Sequence, residues 1–142
     1  MNPEFDMPHL ITEITGISNS MVFKAPKEAE IVDSFLTFLG DSPLVAHNIH
    51  FDEQFLSNLC LRHNKEESNV RKYDTLQLSR SLLFEQPVFN LSALSDFYGL
   101  SSENAHRAEN DTENTGLIFL SITRATVENI KDRLQITFTV CL

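Results

Sequence analysis

The sequence predicts a helix-rich α/β domain, and three observations lead to this class. Apolar residues recur near the 3.6-residue helical period over 27–39 and again over 51–63. Between these two segments, Leu44-Val45-Ala46-His47 is a short apolar run of the kind that forms a buried strand. The 142 residues are 42% hydrophobic, which is enough for one packed core.

The elements follow one another with clear boundary signals. A short helix over 11–14 ends at Gly16, and the helix over 27–39 stops at Gly40, before a turn and the strand over 44–47. Asp74-Thr75 has the form of a helix N-cap. The remaining segments are predicted helices over 51–63, 75–83, 92–98 and 110–125, separated by polar loops, and a strand over 134–140 in which side chains alternate. We expect one domain over 1–125 and a C-terminal extension over 126–142.

Three apolar stripes are predicted to face the core. The apolar stripe over 27–39 consists of Ala29, Ile31, Val32, Phe35, Phe38 and Leu39. One face of the helix over 51–63 carries Phe51, Phe55, Leu56, Leu59 and Cys60. In the last helix, the side chains available to the core are Thr115, Leu117, Ile118, Leu120 and Ile122.

Bulk composition excludes several classes of protein. Eleven basic and twenty acidic residues give a net charge of −9, so the chain is not a protein that coats nucleic acid by bulk electrostatics. No run of 18 apolar residues predicts a membrane span, and the N-terminus lacks the pattern of a secretory signal. Cys60 and Cys141 are too few for a disulfide framework and are not spaced as a zinc site. We expect a reducing, cytoplasmic location.

Two carboxylates and a histidine are candidates for chemistry. Asp52 follows the predicted strand, where ligands of α/β proteins gather, although Asp52 or Asn48 could also simply cap a helix. Asp111 falls in the first turn of a predicted helix, and His106 lies five residues before it. Carboxylates bind hard divalent cations and an imidazole can act as a base. The alternative interpretation of this second pair is a surface histidine and an ordinary first-turn acid.

The order of these segments carries a resemblance. Ile11–Ile17, then Ala46-His47-Asn48-x-x-Phe51-Asp52, then Asp74-Thr75, then His106-Arg107-Ala108-x-x-Asp111 resembles the DEDDh family of 3′–5′ exonucleases over about residues 2–124. That family has an RNase H-like fold and includes the proofreading subunits and domains of bacterial replicative polymerases.

The resemblance implies phosphodiester hydrolysis at a nucleic-acid 3′ end, of DNA or RNA, by two divalent ions, Mg²⁺ or Mn²⁺. By similarity, Asp52 and Asp111 are metal ligands, His106 is the general base, and Asp74 is supporting. A DNA polymerase is an implied partner. The residues expected near the terminal nucleotide are Thr15, Gly16, Ile17, Asn48 and Phe51.

One part of the family pattern is missing where it is expected. Members carry Asp-x-Glu followed by Thr-Thr-Gly on a first strand, and this motif supplies two of the four metal-ligating carboxylates. We also expect no Asp-x-Glu followed by Thr-Gly elsewhere in the chain. The resemblance therefore implies an RNase H-like exonuclease fold that is N-terminally truncated, with the first three sheet strands missing. Our hypothesis is that the strand over 134–140 partly replaces them by pairing beside the one over 44–47.

Three functions follow from this departure. The first is a 3′–5′ exonuclease whose catalysis is impaired or absent in this chain alone. The second is a non-catalytic, exonuclease-like module that binds a nucleic-acid end or a partner protein. The third is an unrelated helical interaction protein whose motifs match by chance, and in that case Asp52 and Asp111 would lie far apart.

Overall fold

A computed structural model describes residues 1–83, 86–100 and 108–134. Within these ranges the chain forms seven helices and two short strands. In chain order they are α1 (His9–Thr15), α2 (Asn19–Val22), α3 (Glu28–Leu39), β1 (Leu44–Ala46), α4 (Ile49–Arg62), β2 (Lys72–Asp74), α5 (Thr75–Leu82), α6 (Leu91–Phe97) and α7 (Ala108–Leu134).

The two strands are parallel neighbours, and α4 connects them. Leu44 pairs with Lys72, and Ala46 pairs with Asp74. Parallel pairing brings the carboxyl ends of both strands to one edge. The segments that follow β1 and β2 therefore start side by side.

The core lies where α6 and α7 meet. Leu94, Ile118 and Ile122 are almost completely buried. Partly buried apolar side chains pack against these three, namely Leu78, Leu83, Phe89, Leu91, Tyr98 and Leu100. Helix α7 also reaches β2, because the rings of Phe119 and Tyr73 lie 5.3 Å apart between centroids. The sheet and the last helix are thus joined by an aromatic contact.

Local signals explain where helices α1 and α3 begin and end. Gly16 ends α1 with a positive φ of 70°, a conformation that glycine adopts without steric cost. At the start of α3, the Glu30 carboxylate accepts a hydrogen bond from the Lys27 backbone N–H at 2.8 Å. Glu28 then joins α3 to the end of α4 by accepting hydrogen bonds from Arg62.

Most sequence-predicted elements are confirmed in position. The helix before Gly16, the helix over 27–39, the strand over 44–47 and the helices over 51–63, 75–83 and 92–98 all form within about two residues of their predicted limits. The last helix is longer than predicted and continues to Leu134. Beyond Leu134, the predicted strand over 134–140 lies outside the described residues. Strand β2 and the short helix α2 were not predicted.

The prediction that three apolar stripes face the core is wrong in part. Phe38 is 84% exposed, and Phe51 and Leu120 are 71% and 61% exposed. Phe55 and Leu117 are also exposed. The helical period identifies an apolar face but not how much of that face a neighbouring element covers, and here the buried apolar members are Val32 in α3, Leu59 and Cys60 in α4, and Ile118 and Ile122 in α7.

Candidate functional site

The carboxyl ends of the two strands are tied together by one side chain. Asp74, the last residue of β2, accepts hydrogen bonds at Oδ1 from the backbone N–H of Leu76 at 2.9 Å and of Asn48 at 3.0 Å. The first bond caps α5, as the sequence predicted. The second bond reaches across to the segment that follows β1.

His47 makes a second tie at this edge. Its Nδ1 lies 3.0 Å from the Thr75 hydroxyl, which also lies 3.3 Å from the Ala46 carbonyl oxygen and can donate to it. Burial lowers the pKa of His47, while a backbone hydrogen bond with Phe89 and the charge of Asp74 oppose this effect. The imidazole is therefore a half-buried packing group at the strand end, which disfavours its charged form.

Asp52 lies at the same edge, in the first turn of α4. The side chain is largely exposed, yet the protein around it displaces enough water to raise the pKa of Asp52. The negative charge of Asp74 raises this pKa further, and the Asp52 backbone N–H acts against both. Two carboxylates therefore share one negative region, and a bound cation would relieve the repulsion between them.

Asp111 lies on the core-facing side of α7. It starts a row with Thr115, Ile118 and Ile122 at spacings of four, three and four residues, and those three are buried. Asp111 itself is half-buried. It lies two helical turns, about 12 Å, before the Phe119 ring that contacts β2. Helix α7 thus directs this carboxylate toward the body of the domain and not toward open solvent.

The predicted metal-binding role of Asp52 and Asp111 stays a prediction. Their carboxylate chemistry suits a hard divalent cation. Within residues 1–83, 86–100 and 108–134, however, no three His, Cys, Asp or Glu side chains form a group that could hold a metal ion. His106, the predicted base, lies outside the described residues. The described residues alone therefore give no reaction step that passes through a bound ion.

The residues predicted to lie near a terminal nucleotide fall in two segments. Thr15 and Ile17 are bonded locally, since the Thr15 hydroxyl donates to Ile11 and accepts from the Ile17 backbone N–H, around the turn at Gly16. Phe51 is exposed beside Asp52. Asn48 is in the left-handed conformation and begins α4. The role of these five residues beside a terminal nucleotide therefore stays a prediction.

The expectation that no Asp-x-Glu followed by Thr-Gly occurs in the chain is wrong. In α7, the stretch Asp111-Thr112-Glu113-Asn114-Thr115-Gly116 has this pattern. On a strand, residues i and i+2 share a face, but on a helix they point about 200° apart. Asp111 is half-buried and Glu113 is exposed, as a helix requires. Glu113 therefore does not complete a strand-type carboxylate pair with Asp111.

Comparison with known proteins identifies the family. The family model RNase_T, described as exonuclease, matches residues 1–119. The chain belongs to this exonuclease family. A DNA polymerase III PolC-type of Latilactobacillus sakei is 36% identical over 129 residues, which is 91% of this chain and 9% of the polymerase. The 3′-5′ exonuclease DinG of Bacillus subtilis is 34% identical over 122 residues, which is 86% of this chain and 13% of that protein. The chain spans about a tenth of the length of these relatives.

A solved structure confirms the fold. Exonuclease X in complex with 5′-overhanging duplex DNA matches with a TM-score of 0.66 and 22% identity, over 88% of this chain and 70% of that one. The predicted class, a helix-rich α/β domain of the RNase H-like exonuclease fold, is therefore confirmed. The family model and the relatives described above show that the chain is a DEDDh-type exonuclease domain.

Proposed function

We propose that this exonuclease domain binds the 3′ end of a DNA or RNA strand and carries part of a Mg²⁺- or Mn²⁺-dependent hydrolytic site. The observation that carries this proposal is the pair of carboxylates at the strand ends, Asp52 and Asp74, where burial and then the negative charge of Asp74 raise the pKa of Asp52. In the proposal, Asp52 and Asp111 contribute ligands and His106 takes a proton from the attacking water. Bound divalent ions supply charge neutralisation at the phosphate.

Exposed aromatic rings support the choice of nucleic acid as the substrate. Phe51 and Phe55 are 71% and 46% exposed and lie one helical turn apart on α4. Phe51 is next to Asp52 in the sequence. Base stacking on aromatic side chains contributes about 1–3 kcal/mol per base and tolerates any sequence. An apolar platform beside a carboxylate suits a terminal nucleotide whose phosphate is held by a cation.

The polymerase relatives suggest the biological setting. A PolC-type DNA polymerase III and DinG each contain a segment similar to this chain. We propose that the domain works in DNA replication or repair, removes nucleotides in a proofreading role beside a DNA polymerase, and is cytoplasmic. None of the described helices is both long and apolar enough to cross a membrane.

A second candidate is a non-catalytic module that binds a nucleic-acid end or a partner protein. One observation favours it, namely that no three potential metal ligands group together in the described part of the chain. With Asp52 and Asp111 as the only proposed carboxylate ligands, we expect the 142 residues alone to show little or no turnover, because a two-metal site needs more ligands than this pair.

A nuclease and binding assay with matched variants separates the two candidates. Labelled single-stranded DNA and RNA are incubated with the chain in Mg²⁺ or Mn²⁺, and binding is followed by fluorescence anisotropy. The variants are Asp52→Asn, Asp111→Asn and the control Asp96→Asn, which makes the same change at an exposed residue of α6.

The outcomes of this assay distinguish catalysis by the chain from binding alone. Release of 3′ nucleotides that falls roughly 10–100-fold or more in the two site variants, but not in Asp96→Asn, supports catalysis by the chain. Binding of strand ends without release supports the second candidate. Release that persists unchanged in both site variants contradicts the assignment of Asp52 and Asp111, and neither binding nor release would contradict both functions.

A further inference from the structure

We propose that Asp74 is a positioning residue for the candidate site, which rests on the function proposed above. Its carboxylate fixes the backbone of Asn48 and thereby the first turn of α4, from which Asp52 projects. In this role Asp74 acts through Asn48 and does not itself hold a cation.

The first observation is the bridge at Asp74 Oδ1. This one oxygen accepts the backbone N–H of Leu76, two residues ahead, and of Asn48, 26 residues back. Both bonds have the short lengths typical of N–H donors. Because Oδ1 already faces two backbone donors, it is engaged as an acceptor between the start of α5 and the start of α4.

The second observation is the conformation of Asn48. Its φ of 68° and ψ of 56° are left-handed, a region that non-glycine residues occupy at a cost and Asn more readily than most. Asn48 is also the N-cap of α4, but its side chain makes no capping hydrogen bond. The bond from Asp74 therefore holds a backbone conformation that the residue does not support by itself.

The third observation is the parallel tie through the next residue. Thr75 is completely buried, and its hydroxyl lies within hydrogen-bond distance of both Ala46 and His47. Asp74 and Thr75 together contact the three consecutive residues that lead from β1 to α4. Each residue of this segment is thus within hydrogen-bond distance of either Asp74 or Thr75.

The hydrogen bond between the Asn48 backbone N–H and Asp74 affects the position of Asp52. Asp52 lies four residues, about one helical turn, after Asn48. When the Asn48 backbone leaves the left-handed region, the start of α4 reorients and carries the Asp52 carboxylate with it. A shift of about 1 Å in such a group is enough to weaken a site that requires convergent ligands.

Two substitutions separate positioning from a direct role of the Asp74 charge. Asp74→Asn removes the charge but keeps an oxygen that can accept both backbone bonds. Asp74→Ser keeps a good N-cap for α5, so the fold is retained, but its shorter side chain does not reach Asn48. The positioning role requires Asp74→Asn to keep the Asn48 amide protected and to weaken cation binding far less than Asp74→Ser does.

Two readouts in solution are compared for the full chain. Amide hydrogen exchange of Asn48 reports the bond itself, and NMR line broadening by added Mn²⁺ at amides 50–53 reports cation binding near Asp52. For Asp74→Ser we expect at least a tenfold loss of Asn48 protection and roughly tenfold weaker Mn²⁺ binding. For Asp74→Asn we expect both values to stay within about threefold.

The results that overturn the proposal are distinct. If Asp74→Asn keeps Asn48 protected but loses Mn²⁺ binding as Asp74→Ser does, the charge acts on the cation directly and positioning is wrong. If Asp74→Ser leaves both readouts unchanged, the bridge has no role. If the unaltered chain binds no Mn²⁺, the proposed metal site fails, and Asn48 exchange in the two variants still decides whether Asp74 fixes this backbone.

Discussion

A buried hydroxyl in α5 allows a quantitative test of the packing. Ser79 is completely buried, and its Oγ has no hydrogen-bond partner among the described residues. Ser95 in α6 provides a matched control, because it is 1% exposed and its Oγ donates to the Leu91 carbonyl at 2.8 Å. Each serine is the fifth residue of its helix. The two sites therefore differ mainly in whether the hydroxyl is satisfied.

The expected effect of Ser79→Ala follows from three contributions. An unsatisfied buried hydroxyl costs about 1–3 kcal/mol, and the substitution removes this cost. The oxygen leaves a void of about 20 Å³, which costs about 0.5 kcal/mol. Alanine is the better helix former by about 0.5 kcal/mol, which offsets the void. We expect Ser79→Ala to raise the free energy of unfolding by about 1–3 kcal/mol.

The control has a different expected outcome. Ser95→Ala loses a satisfied hydrogen bond worth about 1 kcal/mol, while the same void and the same gain in helix propensity offset each other, so its free energy of unfolding should fall by about 1 kcal/mol. Urea unfolding followed by circular dichroism, with equal m-values, gives both numbers. If Ser79→Ala is no more stable than Ser95→Ala, the hydroxyl of Ser79 is satisfied in solution and the reasoning is refuted.

Two further substitutions test the site and the helix that carries Asp111. Because Asp52 has a raised pKa in the folded chain, the fold loses stability as pH rises from the ordinary pKa of an aspartate to the raised one. Asp52→Asn should therefore be the more stable form at pH 7 without added metal, with a difference that vanishes in acid, and an equal pH dependence of unfolding in both chains would contradict the shift. Gly116 lies inside α7 with open space where a Cβ would stand. Gly116→Ala should add up to about 1 kcal/mol to the free energy of unfolding, measured by thermal melting, whereas a loss of stability would mean that residues 111–116 are not helical.

Local sequence signals predicted most of the helices and the position of β1. Gly16 and Gly40 mark helix ends, and the Asp74 N-cap forms as expected, because each of these depends on neighbours within a few residues. Strand β2 was missed because Lys72-Tyr73-Asp74 is too short to show a period, and its pairing with β1 is a contact between distant segments.

The candidate site was predictable only in part. The position of Asp52 just after β1 is as predicted, and the chain belongs to the family that its motifs resemble, but the role of Asp52 as a metal ligand stays a prediction. The bond from Asp74 to Asn48 joins residues 26 apart and has no signature in the sequence. The roles assigned to His106 and Asp111 stay predictions, since they depend on where several segments meet.

The ring contact between Tyr73 and Phe119 fixes the position of α7 along the sheet. Tyr73 immediately precedes Asp74 in β2, and Phe119 lies in the same helix as Asp111. If α7 moved by one helical turn relative to the sheet, Asp111 would shift by about 5.4 Å along the helix axis, although no carboxylate would be altered. A substitution of either ring is therefore expected to weaken the proposed site without changing any of its carboxylates.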